Sequence, residues 1–267
     1  MKIKKIVWLV CLICLTLVAS ICISATDGTA YNWYCVRNKE HKQPKADANM
    51  QWVEQYNGYY IDHNHHDLSE EKVIYLTFDA GYENGNVEKI LDTLKQEQVP
   101  GAFFILGNLI TRNPELVKRM AMEGHIVANH TNLHKDMTKV DQFDEFKKEL
   151  DDLNHLYQNT TGLEMAKYYR PPEGKFNERS LAYANQLGYK TIFWSFAYAD
   201  WDNNKQPSPE SAKAKILDHI HNGAILLLHP TSATNAQIIG DVIRALKAEG
   251  YRFGSLDELT KDAKAIS

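Results

Sequence analysis

Seven short apolar runs, separated by amphipathic stretches, constrain what this chain can fold into. The runs lie at 73–78, 102–106, 126–128, 168–170, 191–194, 224–228 and 251–254. Six stretches between them have helical spacing. Val87, Ile90, Leu91 and Leu94 share one face behind a capping Asn86, and a second helix over 114–123 stops at Gly124. Phe143, Phe146, Leu150, Leu153 and Tyr157 stripe a long third helix, and 180–188 forms a fourth. Ser208-Pro209 opens a fifth, with proline in the first turn where its missing N–H costs nothing. Ile238, Ile239, Val242, Ile243 and Leu246 mark a sixth. Strands alternating with helices pair in parallel through right-handed crossovers, giving either a barrel or an open sheet. Seven strands favour a small, irregular α/β barrel of (β/α)7 type.

The two ends differ from this repeat. Met1-Lys-Ile-Lys-Lys5 is followed by an uncharged apolar stretch to about Ala25, which reads as a secretory signal with cleavage after Ala25. An uncleaved membrane anchor is the alternative, because the run is long. Either way the chain is expected to be exported, with membrane contact only through this segment. Residues 26–71 are polar and rich in Asn and His, with scattered aromatics such as Trp33, Trp52 and Tyr60. No period persists there, so they read as a spacer that partly wraps the main domain. His63-Asn-His-His66 reads as a solvated loop and not as a metal site, since nothing in the sequence orients those rings. The barrel domain is expected over 72–259, followed by a tail at 260–267.

Of four cysteines, Cys11, Cys14 and Cys22 lie in the leading segment, so the mature chain keeps only Cys35 and no internal disulfide. Losing residues 1–25 removes Lys2, Lys4 and Lys5 and no acid, taking the formal charge from −4 to −7. That balance, with no Lys/Arg run, excludes a nucleic-acid partner. An anionic polymer would have to be recognised locally, by a monomer.

Polar residues gather where the apolar runs end, which is how a barrel builds a catalytic mouth. Asp79 follows the first run in Thr77-Phe-Asp-Ala-Gly81. His130 and His134 follow the third; four apart, they would share one face of a helical turn and could hold one divalent ion. Arg170 follows the fourth and could keep Asp79 ionised. His229 ends the very apolar 225–228 and suits a general acid, with Asp200 placed to raise its pKa. Trp194, Tyr198 and Trp201 offer flat faces on which sugars stack.

These clusters, in this order, resemble the five motifs of the polysaccharide deacetylase family, the NodB-homology domain, over roughly 72–259. The stretch from Thr77 to Gly85, Arg170-Pro-Pro-Glu-Gly-Lys-Phe-Asn177 and Ala199-Asp-Trp-Asp-Asn203 resemble the branch that makes muramic δ-lactam in spore cortex peptidoglycan. Members of that branch deacetylate muramic acid so that the lactam ring can close. The resemblance implies Asp79 as base, Arg170 as its partner, His130 and His134 as metal ligands, and Asp200 with His229 on the acid side. It also implies two departures. The family's second aspartate, its third metal ligand, is replaced by Ala80, so zinc or a similar ion would be held weakly unless a carboxylate such as Glu83 substitutes. Glu173 stands where a tyrosine is common, and would contact the sugar. The expectation is therefore an N-deacetylase of peptidoglycan glycan strands at the cell wall or spore cortex. The alternatives are a deacetylase of N-acetylglucosamine polymers such as chitin oligosaccharides, or a non-catalytic wall-binding module.

Overall fold

The computed structural model describes residues 28–261; the expected signal or anchor at 1–25 and the tail from 262 lie outside the described residues. Two short strands, β1 (Tyr31–Asn32) and β2 (Gly58–Tyr59), come from the segment ahead of the barrel. There follow β3 (Lys72–Ala80), α1 (Val87–Glu97), β4 (Ala102–Ile105), α2 (Gly107–Arg112), α3 (Pro114–Met122) and β5 (Ile126–Asn129). The chain continues with α4 (Phe143–Thr161), β6 (Ala166–Tyr169), β7 (Lys175–Phe176), α5 (Glu178–Gln186) and β8 (Lys190–Ile192). The last elements are α6 (Pro209–Leu217), β9 (Ala224–Leu228), α7 (Ala233–Ala248), β10 (Tyr251–Phe253) and α8 (Leu256–Leu259). All seven anticipated strands are present, and the six anticipated helices correspond to α1, α3, α4, α5, α6 and α7.

Every pairing in the main sheet is parallel. Ile74 of β3 pairs with both Phe253 and Ala224, so β10 and β9 flank β3 on opposite edges. From β3 the sheet runs through β4, β5, β6 and β8. Past β8, Phe196 bridges to Leu226 of β9, which brings the curled sheet round on itself. The result is the irregular α/β barrel expected from the alternation.

The long apolar run of β3 is explained by burial on both faces. Ile74, Leu76, Phe78 and Ala80 pack outward against Ile90, Leu91 and Leu94 of α1 and Val242 of α7. Val73 and Tyr75 point the other way, into a cluster with Phe104, Ala128, Ile192 and Ile225. Thr77 and Asp79 continue that inward face by strand alternation, and this carries Asp79 to the barrel mouth.

The segment before the barrel is more than a spacer. β2 adds to the open edge of β8 in parallel, Gly58 pairing with Thr191 and Tyr59 with Ile192. β1 pairs antiparallel with β7. Trp33, Met50, Val53, Tyr60 and Ile61 are buried against Phe176, Leu181 and Phe193. Trp33 stacks on Phe193 with centroids 4.4 Å apart, and its Nε1 donates to the Trp194 carbonyl at 2.8 Å. The histidines at 63–66 are also better ordered than expected. His65 Nδ1 meets Asp62 at 2.6 Å, its Nε2 lies 3.2 Å from Glu71, and His63 Nε2 meets Glu54 at 2.7 Å.

Candidate active site

Asp79 reaches a cleft of about 680 Å3 that is also lined by His130, His134, Glu173, Trp194, Trp201 and His229. Arg170 lies behind it with no solvent exposure. Its guanidinium donates to Asp79 Oδ1 at 2.7 Å, to Thr77 Oγ1 at 2.8 Å and to the Ile192 carbonyl at 2.9 Å. The ring of Phe104 covers its face at 4.2 Å. A buried cation needs such saturation, because an unmet charge in the interior is costly. Burial by itself would raise the Asp79 pKa, but Arg170 first, then His130 and His229, pull it below the usual carboxylate range. A carboxylate kept ionised in a cleft can accept a proton from water.

His130 is buried, and its Nδ1 lies 2.9 Å from the Arg170 carbonyl, which makes that nitrogen the donor. Its Nε2 faces Asp79 Oδ2 at 3.6 Å. Burial pushes the His130 pKa down to about 4, outweighing the attraction of Asp79, so the ring is neutral at neutral pH. The two histidines do not share a helical turn as their spacing implied. Thr131 and His134 both adopt left-handed backbone, at φ 71° and 58°. Asn129 Oδ1 accepts from Thr131 N and Thr131 Oγ1 accepts from His134 N, which folds the loop. The rings still meet, with centroids 5.1 Å apart at 72°.

A catalytic zinc site usually offers three protein ligands. Among the described residues no group of three His, Cys, Asp or Glu side chains is arranged to hold an ion. Ala80 is fully buried in the apolar cluster outside the sheet. Glu83 is turned toward the start of α1, accepting from the backbone N–H of Gly85 and, at 3.2 Å, of Glu88. The donor set is thus two imidazoles beside an Asp79 already paired with Arg170, and it does not fit a complete zinc shell.

Across the cleft, His229 Nδ1 meets Asp200 Oδ1 at 2.7 Å, and its backbone N–H donates to Oδ2 at 2.8 Å. Asp200 is buried, so both its oxygens are fixed. Burial lowers the His229 pKa, but the hydrogen bond and charge of Asp200, with a contribution from Asp79, leave it raised overall. With Nδ1 committed to Asp200, Nε2 is the nitrogen left for the cleft. An imidazole held this way can deliver a proton.

The remaining candidates fall into two groups. Trp201 is exposed at the rim, edge-on to His229 at 6.1 Å between centroids. Glu173 also stands at the rim, in left-handed backbone at φ 57°, and pairs with Lys175 at 2.5 Å. Trp194 is half-buried in the wall and packs against Gly174, where a Cβ would come within 2.6 Å of its ring. Tyr198 lines the cleft but is buried, and its hydroxyl donates to Asn235 Oδ1. Four residues have supporting roles that the sequence reading did not give them. They are Thr77 on Arg170, Asn235 on Asp200, and Asn84 and Asn86, whose side-chain amides both donate to the Thr231 carbonyl.

Comparison with known proteins supplies the family. The profile described as "Polysaccharide deacetylase" matches residues 67–192. The chain is 40% identical over 236 residues to the peptidoglycan-N-acetylmuramic acid deacetylase PdaA of Bacillus subtilis (strain 168), spanning 88% of each chain. It is 32% identical over 193 residues to a peptidoglycan-N-acetylglucosamine deacetylase of Bacillus cereus, spanning 71% of this chain and 68% of that one. The solved structure of Bacillus subtilis PdaA, described as a family 4 carbohydrate esterase, superposes with a TM-score of 0.83 at 39% identity. That match covers 89% of this chain and all of the other. The chain belongs to the polysaccharide deacetylase family.

Proposed function

We propose that this carbohydrate deacetylase removes the N-acetyl group from muramic acid in peptidoglycan, on the way to muramic δ-lactam in spore cortex. The observation that carries the reading is the pair of opposed dyads, Asp79 with Arg170 and His229 with Asp200, facing one cleft. A wall-binding module needs no base and acid pair, so that alternative is disfavoured. Muramic acid is preferred over glucosamine because the similarity to PdaA spans most of both chains.

In this reading Asp79 takes a proton from a water molecule whose oxygen attacks the acetyl carbonyl carbon. Arg170 keeps Asp79 ionised and aimed. His229 Nε2 then gives a proton to the amide nitrogen as the C–N bond breaks, releasing acetate and a free amine. Trp201 and Trp194 would present ring faces to the sugar, and Glu173, which lines the same cleft, would meet a substituent on the ring. The chemistry belongs on the wall side of the membrane, in keeping with an exported chain. Treating purified peptidoglycan and analysing its muramidase fragments by mass tests the substrate. Acetyl loss on muramic residues is expected; loss confined to glucosamine residues would overturn the choice of sugar.

The two dyads set the pH profile. Asp79, with its lowered pKa, is already a base in mildly acid solution, so the acid limb lies low. His229 must be protonated to act, so activity falls as pH rises through its elevated pKa. Replacing His229 by Ala is expected to remove that alkaline limb, and Asp200→Asn to move it to lower pH. An unchanged limb in both variants would remove His229 from the acid role.

Metal binding at His130 and His134 is proposed to be weak. Calorimetric titration with zinc should show low affinity, with the purified protein arriving largely metal-free. Tight stoichiometric binding would mean that another side chain moves in to complete the shell.

A further inference from the structure

The acid side of the cleft extends one residue beyond the His229–Asp200 pair. Asn235, in the first turn of α7, is buried with its carboxamide between three groups. Its Nδ2 donates to Asp200 Oδ2 at 2.6 Å and to the His229 carbonyl at 3.1 Å. Its Oδ1 accepts from the Tyr198 hydroxyl, and its backbone N–H donates to Ser232 Oγ at 3.0 Å. The amide can face only one way. A carboxylate accepts and does not donate, so the NH2 must meet Asp200, leaving the oxygen for Tyr198. Tyr198 is a dependable donor, since burial first, and then the charge of Asp200, raise its pKa far above neutrality.

This arrangement sets the direction of the catalytic imidazole. Asp200 Oδ2 takes the backbone N–H of His229 and the amide of Asn235 together, which pins the carboxylate plane. Oδ1 is thereby left to hold His229 Nδ1, and Nε2 is presented to the cleft. The loop bearing Asp200 has a second tie. Gln206 Nε2 donates to the carbonyls of Asp200 and Asp202, at 2.8 and 2.9 Å, and its Oε1 accepts from Ser232 Oγ. Ser232 is also the cap of α7. The start of one helix therefore holds both the carboxylate and the histidine it serves.

We propose that Asn235, braced by Tyr198, is a positioning residue for the proton-donating His229, acting through Asp200. The proposal rests on the reading of His229 as the acid. The charged groups that act on His229 are Asp200, Asp79 and Arg170, and Trp201 meets its ring. Of these, Asn235 touches Asp200 alone.

The test is a double-mutant cycle on purified enzyme with peptidoglycan fragments, reading kcat and KM across pH. Asn235→Ala is expected to lower kcat about tenfold, the order of one lost hydrogen bond to a charged group, with KM little changed. The alkaline limb should move to lower pH, because a loosened Asp200 supports the imidazolium less. In an Asp200→Ala background, Asn235→Ala should have no further effect on kcat, since the group it acts through is gone. Tyr198→Phe keeps the ring and deletes only the brace, and should shift the limb the same way by less. An equal loss of kcat in both backgrounds overturns the proposal, as does a Tyr198→Phe enzyme with an unmoved limb. If instead His229→Ala retains the alkaline limb, the acid assignment itself fails, which separates the two outcomes.

Discussion

Asp79→Asn should reduce deacetylation by about 10²–10⁴, the usual cost of losing a general base. The substitution preserves shape, and an amide oxygen can still accept from Arg170, so the circular dichroism spectrum should be unchanged. Some stability should nevertheless be lost. Asp79 is closely packed for a strand-end group: its side chain is only 10% exposed and bonded to a buried cation. Activity within a few-fold of the parent would exclude Asp79 as the base.

Arg170→Met should be worse for the fold than for any single contact. Removing one partner of a buried pair leaves the other charge uncompensated, at about 3–5 kcal/mol. The Ile192 carbonyl and Thr77 hydroxyl lose their donor at the same time. At temperatures where the variant stays folded, the acid limb should climb. Without Arg170 the Asp79 pKa rises, so the base is protonated at pH values where the parent enzyme still works. Thermal denaturation together with the acid side of the rate profile measures both effects. A stable variant with an unmoved acid limb would mean that Arg170 neither supports the barrel nor tunes Asp79.

How far such a site can be read in advance depends on what makes each residue visible. Asp79, His130, Arg170 and His229 stand out because each ends an apolar run, and strand alternation then carries them to one mouth. The loop of His130 and His134 differs in shape from the helical turn their spacing suggests, since spacing alone does not reveal two departures into left-handed backbone, at Thr131 and His134. Asn235 was invisible. It sits in a helix's first turn, next to Thr234, where polar residues ordinarily cap or face water. Only the approach of the Asp200 loop, thirty-five positions earlier, turns it inward. Asn86 looked like the cap of α1, and it occupies that position, but its side chain is bonded to Thr231 instead. Strand β2 escaped notice because two residues cannot show a period, and a glycine is one of them.

That strand bears on how the molecule assembles in time. The indole of Trp33 finds its carbonyl partner 161 positions later, and β2 is placed by β8. This stretch, made well before the strand it joins, is therefore among the last to find its seat, because closing so long a loop costs entropy before any contact rewards it. Until then Phe176, Leu181 and Phe193 lack their cover. Refolding should show a slow final phase reported by tryptophan fluorescence. A chain trimmed to begin at Lys72 should aggregate, since the residues removed are those that shield this surface from neighbouring molecules.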